Sequence, residues 1–295
     1  MTCDLPLDLE AKFDALRAQL RDFRSVVVAF SGGVDSAFVL RAAVLALGPE
    51  RVLAITGRSP SVAAAELAQV ERIAAEIGAR HEFFDTHEFA DPNYLANPAN
   101  RCYFCKTELY TQLAQIARQR GVGAVINGVN ADDLGDYRPG LQAAREHQVR
   151  APLAECGISK AELRRMAAAL GLSVADKPAS PCLSSRVQYG ESITPEKLRA
   201  IDAAEAFLHE LGFRECRVRH HDRLARIEVP PAEVARFADA ELRARIDRRL
   251  RELAYLYVTV DLRGLRSGSM NEVLLGAGLT RRTGSARTDS PVEQS

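Results

Sequence analysis

Apolar residues follow two kinds of pattern, which alternate over the first part of the chain. The segment Ser25–Phe30 carries valines in succession, as is typical of a strand buried on both faces of a parallel sheet. In residues 8–23 the apolar positions recur at helical spacing and predict a helix. The same patterns predict further strands at Arg51–Thr56, His81–Phe84 and Ala124–Asn127, and further helices at Asp35–Leu47, Val62–Ile77, Lys106–Gln119 and Lys160–Leu170, the last followed by an apolar segment at Leu172–Val174.

This alternation predicts the fold class of the first part. Strands separated by helices form an open, mostly parallel sheet with helices on both faces, an α/β fold. Because the crossovers between parallel strands are right-handed, the loops that follow the strands lie along one edge of the sheet. Ligands of such sheets bind at that edge, so we expect the chemically active residues of this part there.

The pattern changes after Gly190. A helix is predicted at Pro195–Leu211 and a turn at His221–Asp222 between two alternating strands. We expect a first domain over residues 1–189 and a second, smaller α+β domain over 190–275. Residues 276–295 are rich in Gly, Thr, Arg and Ser without periodicity, which predicts a disordered tail. The other predicted elements of the second domain are strands at Arg217–His220, Ala225–Val229 and Leu256–Asp261 and helices at Glu233–Phe237 and Glu241–Leu253.

Composition narrows the class of protein. The 295 residues are 47% apolar and 26% charged, as in soluble globular proteins. The formal net charge of zero gives no bulk attraction to nucleic acid or membrane, although a local basic patch could still bind RNA. No apolar stretch approaches the ~20 residues that span a bilayer, and the N-terminus is acidic where a signal peptide is basic. We therefore expect a cytoplasmic protein with no nucleic-acid or membrane partner.

The glycine-rich loop Ser31–Ser36 joins the first strand to the following helix. Its glycines let the backbone approach a phosphate closely, and their N–H groups form a nest beside the helix N-terminus. The hydroxyls of Ser31 and Ser36 can donate to phosphate oxygens, and Asp35 can hold Mg²⁺ directly or through water. The alternative is a tight turn that binds no ligand; six matching residues between a strand and a helix favour the phosphate-binding loop over it.

The loop Ser31-Gly32-Gly33-Val34-Asp35-Ser36 resembles the SGGxDS signature of the PP-loop ATP pyrophosphatases. That family cleaves ATP between the α and β phosphates and transfers AMP to an oxygen of the substrate. The loop lacks the Gly-Lys-Ser/Thr ending of a Walker A sequence, which disfavours γ-phosphate transfer. The resemblance implies that Ser59 lies near the adenine, and that Gly128, Asn130 and Asp132 lie near the nucleotide. Asp132 and Asp133 could instead be exposed loop carboxylates.

Four further segments narrow the resemblance to one family. With the glycine-rich loop they resemble the LarE family of ATP-dependent sulfur transferases, over residues 10–275. The resemblance implies that the chain uses ATP and Mg²⁺ to adenylate the carboxylates of pyridinium-3,5-biscarboxylic acid mononucleotide. It also implies their conversion to thiocarboxylates, for nickel-pincer nucleotide biosynthesis. The four segments are Asn100–Lys106, Asn127–Gly140, Asp176–Arg186 with Tyr189–Gly190, and Gly264–Asn271.

The family motif marks Cys182 as the sulfur-bearing residue. Its thiolate would form a thioester, and removal of its Cα proton would leave a thiocarboxylate and a dehydroalanine. Pro178 and Pro181 predict an extended loop, and a nearby Arg186 would favour the thiolate.

The chain has six cysteines, which in a cytosolic protein are free, catalytic or metal-bound more often than disulfide-bonded. Cys102 and Cys105 form a Cys-x-x-Cys pair that could be a redox pair, half a zinc site or two buried thiols. Together with Cys182 they supply three thiolates, the number that holds a [4Fe–4S] cluster with one iron open. We favour such a cluster, carrying hydrosulfide, over sacrifice of Cys182. No role is predicted for Cys3, Cys156 and Cys216.

An anionic substrate needs cations in the second domain. Arg217 and Arg219 lie on one face of a predicted strand, and the guanidinium group suits bidentate contact with phosphate. Arg263 and Arg266 follow the last strand. With Arg186 these are the predicted substrate-binding residues, and we expect a homo-oligomer. The competing interpretations are a tRNA thiolase and a non-catalytic adenine-nucleotide sensor.

Overall fold

The fold is that of a computed structural model, which divides the chain into two units. The first unit ends at Ser184 and also takes in Ser192–Leu198. The second takes in Ser185–Glu191 and the chain from Arg199 onward. The predicted disordered tail, residues 276–295, lies outside the described residues. The structure describes residues 7–135, 139–178, 180–266 and 269–272.

A parallel four-stranded sheet forms the centre of the first unit. Its strands are β1 (Val26–Ala29), β2 (Val52–Arg58), β3 (Arg80–Asp85) and β4 (Ala124–Ile126), in the order β3-β2-β1-β4. In the central strand Val27 pairs with Leu53 on one side and Val125 on the other. The α/β class with a parallel sheet is confirmed.

Helices cover both faces of this sheet, and the side chains of β1 pack alternately into a hydrophobic core on each face. Val26 and Val28 belong to one core, which includes Phe38. Val27 belongs to the opposite core, which includes Leu113. The helices of the first unit are α1 (Leu7–Asp22), α2 (Val34–Leu47), α3 (Ala64–Ile77), α4 (Pro92–Leu95), α5 (Arg101–Gln119), α6 (Pro139–Glu146), α7 (Pro152–Glu155) and α8 (Lys160–Ala169), with 3₁₀ turns at Pro49–Arg51, Glu88–Ala90 and Ala131–Gly135.

Helix α5 begins five residues before the predicted start at Lys106, so it contains the Cys-x-x-Cys pair. The cause is a tertiary contact that no local pattern reveals. Arg101, the first residue of α5, is buried and donates to Asn97 Oδ1 and to the carbonyl of Ser184. Leu172–Val174 forms a turn and no strand.

The second unit contains a small mixed sheet. Strands β5 (Arg217–His221) and β6 (Leu224–Glu228) form an antiparallel hairpin, and β7 (Tyr257–Val260) pairs with β6 in parallel. The hairpin turns at Asp222, whose φ of 51° is one that Asp tolerates. Its remaining elements are the greater part of α9 (Pro195–Glu210), α10 (Ala240–Glu252) and 3₁₀ turns at Pro231–Ala238 and Ser269–Asn271.

No helix among the described residues is long and apolar enough to cross a membrane.

Candidate active site

The glycine-rich loop connects β1 to the open N-terminus of α2. Gly33 is the N-cap residue of α2, and no side chain caps the helix there. The hydroxyls of Ser31 and Ser36 lie 3.2 Å apart, and Ser36 Oγ donates to the carbonyl of Gly33 at 3.0 Å. The first-turn N–H groups of α2 are therefore available to an anion, which suits the binding of a phosphate.

Two glycines allow the close packing around this loop. Gly32 has a φ of +70°, and a Cβ atom there would lie 2.6 Å from Val70 Cγ1 of α3. A Cβ atom on Gly128 would lie 2.7 Å from the backbone of Asp35 and Ser36. The loop after β4 therefore packs directly on the first turn of α2, as only glycine permits.

Asp35 is held by two partners from other loops. Its Oδ1 accepts from Asn130 Nδ2 at 3.2 Å, and its Oδ2 accepts from Lys160 Nζ at 2.5 Å. The backbone N–H of Lys160 donates to Asp132 Oδ2 at 2.8 Å, and Asp133 Oδ2 accepts from the backbone of Asn130. The structure thus brings Asp35, Asn130 and Asp132 together. The carboxylate of Asp35 fits Mg²⁺, which binds through one or two carboxylates, waters and phosphate oxygens.

Two lysines at this edge were missed in the sequence. Lys160 lies at the first position of α8, where a cation opposes the helix dipole; that anomaly is the signal that could have identified it. The ammonium group of Lys177 contacts Glu66 Oε2 at 2.6 Å, Gln69 Oε1 at 2.5 Å and the carbonyl of Gly32 at 3.4 Å. Both ammonium groups therefore lie beside the glycine-rich loop.

The loop after β2 contacts the segment that carries Cys182. The hydroxyls of Ser59 and Ser61 lie 2.6 Å apart, and Ser61 accepts a hydrogen bond at its carbonyl from the N–H of Leu183 at 2.8 Å. The structure thus places Ser59 two residues from the attachment point of the Cys182 segment.

The Cys182 segment is also fixed to the start of α5. Ser184 is fully buried, and its hydroxyl lies 2.7 Å from the hydroxyl of Tyr94. The carbonyl of Ser184 accepts from Arg101 Nη1 at 2.8 Å, and Arg101 directly precedes Cys102 in the chain. Cys182 itself is exposed. These bonds place the exposed thiol on a segment that is anchored on its C-terminal side.

Cys102 and Cys182 lie close enough to Cys105 for their charges to affect its pKa. Burial raises the pKa of the Cys105 thiol to about 12; Lys106 opposes this, while the charges of Cys182, Glu88 and Cys102 add to it. Cys102 is exposed, and both residues are reduced in the structure. Cys105 is therefore held in the thiol form, whereas Cys102 and Cys182 are accessible.

The donor types of these cysteines suit an iron–sulfur cluster, but their positions do not form a binding site. Among the described residues, no group of three or more His, Cys, Asp or Glu side chains is arranged to hold a metal ion. Cys105 would also have to lose a proton that burial stabilises. The arrangement seen here therefore does not fit a [4Fe–4S] cluster.

In the second unit, two of the predicted arginines form buried ion pairs. Arg186 donates through Nε and Nη2 to Glu205, at 3.0 and 2.9 Å. Arg219 donates through Nε to Glu228 at 2.9 Å and through Nη2 to Ser269. Both guanidinium groups are fixed by these bonds.

The structure also brings Arg217 into the neighbourhood of Arg186 and Arg219. Burial and the positive charges of those two residues lower the pKa of Arg217. Arg263 contacts Glu272 at 3.3 Å, and Arg266 pairs with both Asp261 and Glu272. Arg186, Arg217 and Arg219 therefore lie close together, although Arg186 and Arg219 are each paired with a buried glutamate. Arg263 and Arg266 also have carboxylate partners.

Comparisons with known proteins identify the family of this chain. Residues 9–94 match the NAD synthase family. The chain is 47% identical to an uncharacterized protein of Synechocystis sp., over 90% of this chain and 99% of that protein. It is 38% identical to the pyridinium-3,5-bisthiocarboxylic acid mononucleotide synthase of Lactiplantibacillus plantarum, over 92% and 98%. It is 28% identical to the tRNA-specific 2-thiouridylase of Rickettsia peacockii, over only 53% and 52%. The chain therefore belongs to the LarE family of ATP-dependent sulfurtransferases.

Proposed function

We propose that this enzyme adenylates the carboxylates of pyridinium-3,5-biscarboxylic acid mononucleotide and converts them to thiocarboxylates, a step in nickel-pincer nucleotide biosynthesis. The observation that carries the proposal is the attachment of the Cys182 segment to the edge that holds the glycine-rich loop. Lys177 reaches the carbonyl of Gly32, and Leu183 bonds to Ser61. The name of the relative from Lactiplantibacillus plantarum supports the choice of substrate.

The first step takes place at the glycine-rich loop. The N–H groups at the start of α2 and the hydroxyls of Ser31 and Ser36 bind the triphosphate, with Gly128 and Asn130 beside them and Ser59 toward the adenine. Asp35 would hold Mg²⁺, which would neutralise phosphate charge. A substrate carboxylate attacks the α-phosphorus, and pyrophosphate leaves. A carboxylate, which is a poor electrophile, thereby gains AMP as its leaving group.

The second step takes place at Cys182. A sulfur nucleophile attacks the acyl carbon, the new C–S bond forms, and the bond from that carbon to the AMP oxygen breaks. In the first version Cys182 is the nucleophile and is consumed; in the version favoured from the sequence, Cys102, Cys105 and Cys182 would hold a cluster that would supply hydrosulfide. The exposed position of Cys182 supports the first version. The second requires the three thiols to converge.

The substrate phosphate and carboxylates need cations, for which we propose Arg186, Arg217 and Arg219, with Arg263 and Arg266. The lowered pKa of Arg217 supports this: burial is its largest cause, and the charges of Arg186 and Arg219 contribute to it, an effect that a bound anion would offset. We also propose that the enzyme is a homo-oligomer. A tRNA thiolase is less well supported, since the relatives of that name match about half of this chain.

Pyrophosphate release and product analysis test the proposal. The wild-type enzyme should release pyrophosphate only when ATP and the pyridinium dicarboxylate are both present. Asp35→Ala should abolish that release, whereas Cys182→Ala should retain it but form no thiocarboxylate. Release by Asp35→Ala at the wild-type rate would contradict the proposed site.

The sulfur source is tested with Cys102→Ala and Cys105→Ala. If Cys182 is consumed, both variants should complete one turnover, and the protein should lose the mass of one H₂S. If a cluster supplies the sulfur, both variants should lose thiolation together with bound iron and sulfide.

A further inference from the structure

Glu88 is a buried carboxylate without a cationic partner. It follows β3 at the edge of the sheet that carries the site, and only 3% of its surface is exposed. In the part of the chain that the structure describes, Glu88 forms no ion pair with a Lys, Arg or His side chain. Its Oε2 atom has no hydrogen-bond partner there, and its Oε1 atom has a long contact of 3.5 Å with Ser61 Oγ. Burial of such a group costs several kcal/mol, which calls for a functional explanation.

Glu88 lies near the cysteines that are candidates for sulfur transfer. Its charge raises the pKa values of Cys105 and Tyr94, although burial is the largest cause for both. The charge of Cys182 also acts on these two groups, so Glu88 and Cys182 share their neighbours. Ser61 links them further, because its hydroxyl faces Glu88 and its carbonyl binds the N–H of Leu183.

A structural role does not account for this carboxylate. Glu88 begins the 3₁₀ turn Glu88–Ala90, but its side chain caps no helix. The nearby backbone N–H of His87 is satisfied by Glu108 instead. A glutamine would fill the same space without the cost of burying a charge. The property that only glutamate adds is the ability to accept a proton.

We propose that Glu88 is the proton acceptor of the sulfur-transfer step, an inference that rests on the proposed function. When an S–H group attacks the acyl adenylate, the C–S bond forms and the C–O bond to AMP breaks, with its electron pair leaving on AMP. The proton of the S–H group passes to Glu88. The balance is the same whether the sulfur belongs to Cys182 or to hydrosulfide.

The two serines after β2 provide a way back to the resting state. Ser61 Oγ lies 3.5 Å from Glu88, and Ser59 Oγ lies 2.6 Å from Ser61 Oγ. Ser61 is buried and Ser59 is half-buried, so the hydroxyls lead from the carboxylate toward the surface. The proton can leave Glu88 along this route after AMP has departed.

The test is a single-turnover experiment with ATP and pyridinium-3,5-biscarboxylic acid mononucleotide. Pyrophosphate release reports adenylation, and thiocarboxylate formation reports sulfur transfer. Glu88→Gln should release pyrophosphate within about threefold of wild type but transfer sulfur roughly 100-fold more slowly, as expected for loss of a general base. Glu88→Asp, which keeps a carboxylate, should recover part of the rate. The pH profile of transfer should have an acidic limb in wild type and in Glu88→Asp, and none in Glu88→Gln.

Several outcomes would overturn the role of Glu88. One is wild-type transfer by Glu88→Gln; another is equal loss in both variants with an unchanged pH profile, which would indicate packing alone. If Glu88→Gln does not fold, the pH profile of the wild-type enzyme alone decides: a sulfur-transfer rate that does not fall at low pH would also overturn the role of Glu88. If wild type releases no pyrophosphate with this substrate, the proposed function is wrong and the role of Glu88 falls with it. Normal release by wild type with a flat transfer profile would contradict the role of Glu88 alone.

Discussion

Buried glutamates occur in both units, but in opposite circumstances. In the second unit Glu228 is fully buried, forms ion pairs with Arg219 and Arg226, and accepts a hydrogen bond from Ser269. Glu205 is 6% exposed and accepts two bonds from Arg186. In the first unit Glu88 is as deeply buried, yet it has neither a cation nor a full set of donors.

The difference separates a group that stabilises the fold from one that is available for chemistry. A buried carboxylate with its cation cannot change its protonation without leaving that cation unpaired. A buried carboxylate without a cation has no such constraint, and the protein bears its desolvation cost. The ion pair of Asp35 with Lys160 lies between these cases, since both side chains are about one third exposed.

The largest expected effect is on the stability of the second unit. Glu228→Gln removes the charge that two arginines share, which leaves positive charge buried without compensation. We expect the free energy of unfolding to fall by about 3–5 kcal/mol. Urea denaturation of the purified variant measures it. A loss below about 1 kcal/mol would mean that this pair does not differ in kind from Glu88.

The intermediate ion pair should affect activity more than stability. Lys160→Met frees Asp35 and removes a cation beside the proposed phosphate site. We expect pyrophosphate release to fall by roughly 10- to 100-fold, the range for a lost charge-assisted contact of about 1.5–3 kcal/mol. The melting temperature should hardly change, because ion pairs that remain partly exposed to solvent contribute about 0–1 kcal/mol. A large loss of stability with normal pyrophosphate release would show that Lys160 stabilises the fold and does not act in adenylation.

Thiol reactivity tests the charge of Glu88 directly. At pH 8, iodoacetamide should modify Cys105 at least tenfold more slowly than Cys102, because its raised pKa leaves little thiolate. Glu88→Gln should increase the rate at Cys105, since one of the charges that raises that pKa is gone. Cys216, whose pKa burial also raises to about 12, is the matched control in the second unit and should not respond. Equal acceleration at both cysteines would indicate loosening of the fold.

The smallest expected effect is the counterpart of the first. Glu88→Gln should leave the free energy of unfolding unchanged or raise it by up to about 1 kcal/mol, because it removes a buried charge that no cation compensates. The same urea denaturation measures it against Glu228→Gln. A loss as large as that of Glu228→Gln would show that Glu88 has partners in solution that stabilise the fold.

The sequence predicts those parts of the site that are local in the chain. The strand, the loop Ser31–Ser36 and the start of α2 follow from a contiguous pattern, and all lie where expected. The contacts of Lys177, Arg101 and Glu88 join residues 27 to 145 positions apart, so no local pattern contains them. The early start of α5 has the same cause.

The pairing of the predicted arginines was also beyond local patterns. The alternation of Arg217 and Arg219 along β5 was visible in the sequence, and both residues lie in that strand. That Arg219 binds Glu228 depends on the register of the hairpin, which aligns Arg219 with Arg226. The alternation of residues shows which face of a strand a side chain lies on. The charged groups that it contacts there belong to the neighbouring strand, which the alternation does not identify.

The clasp that Arg101 forms with Asn97 and Ser184 has a consequence for protein engineering. The Cys182 segment and the first turn of α5 are separated by some 80 positions in the chain, yet the side chain of Arg101 joins them directly. A chimaera that receives the Cys182 segment of a relative without the matching residues 97–105 would lose this contact and keep the bonds of that segment to Ser61 and Tyr94. A chimaera that exchanges the Cys182 segment between family members should therefore exchange residues 97–105 together with it.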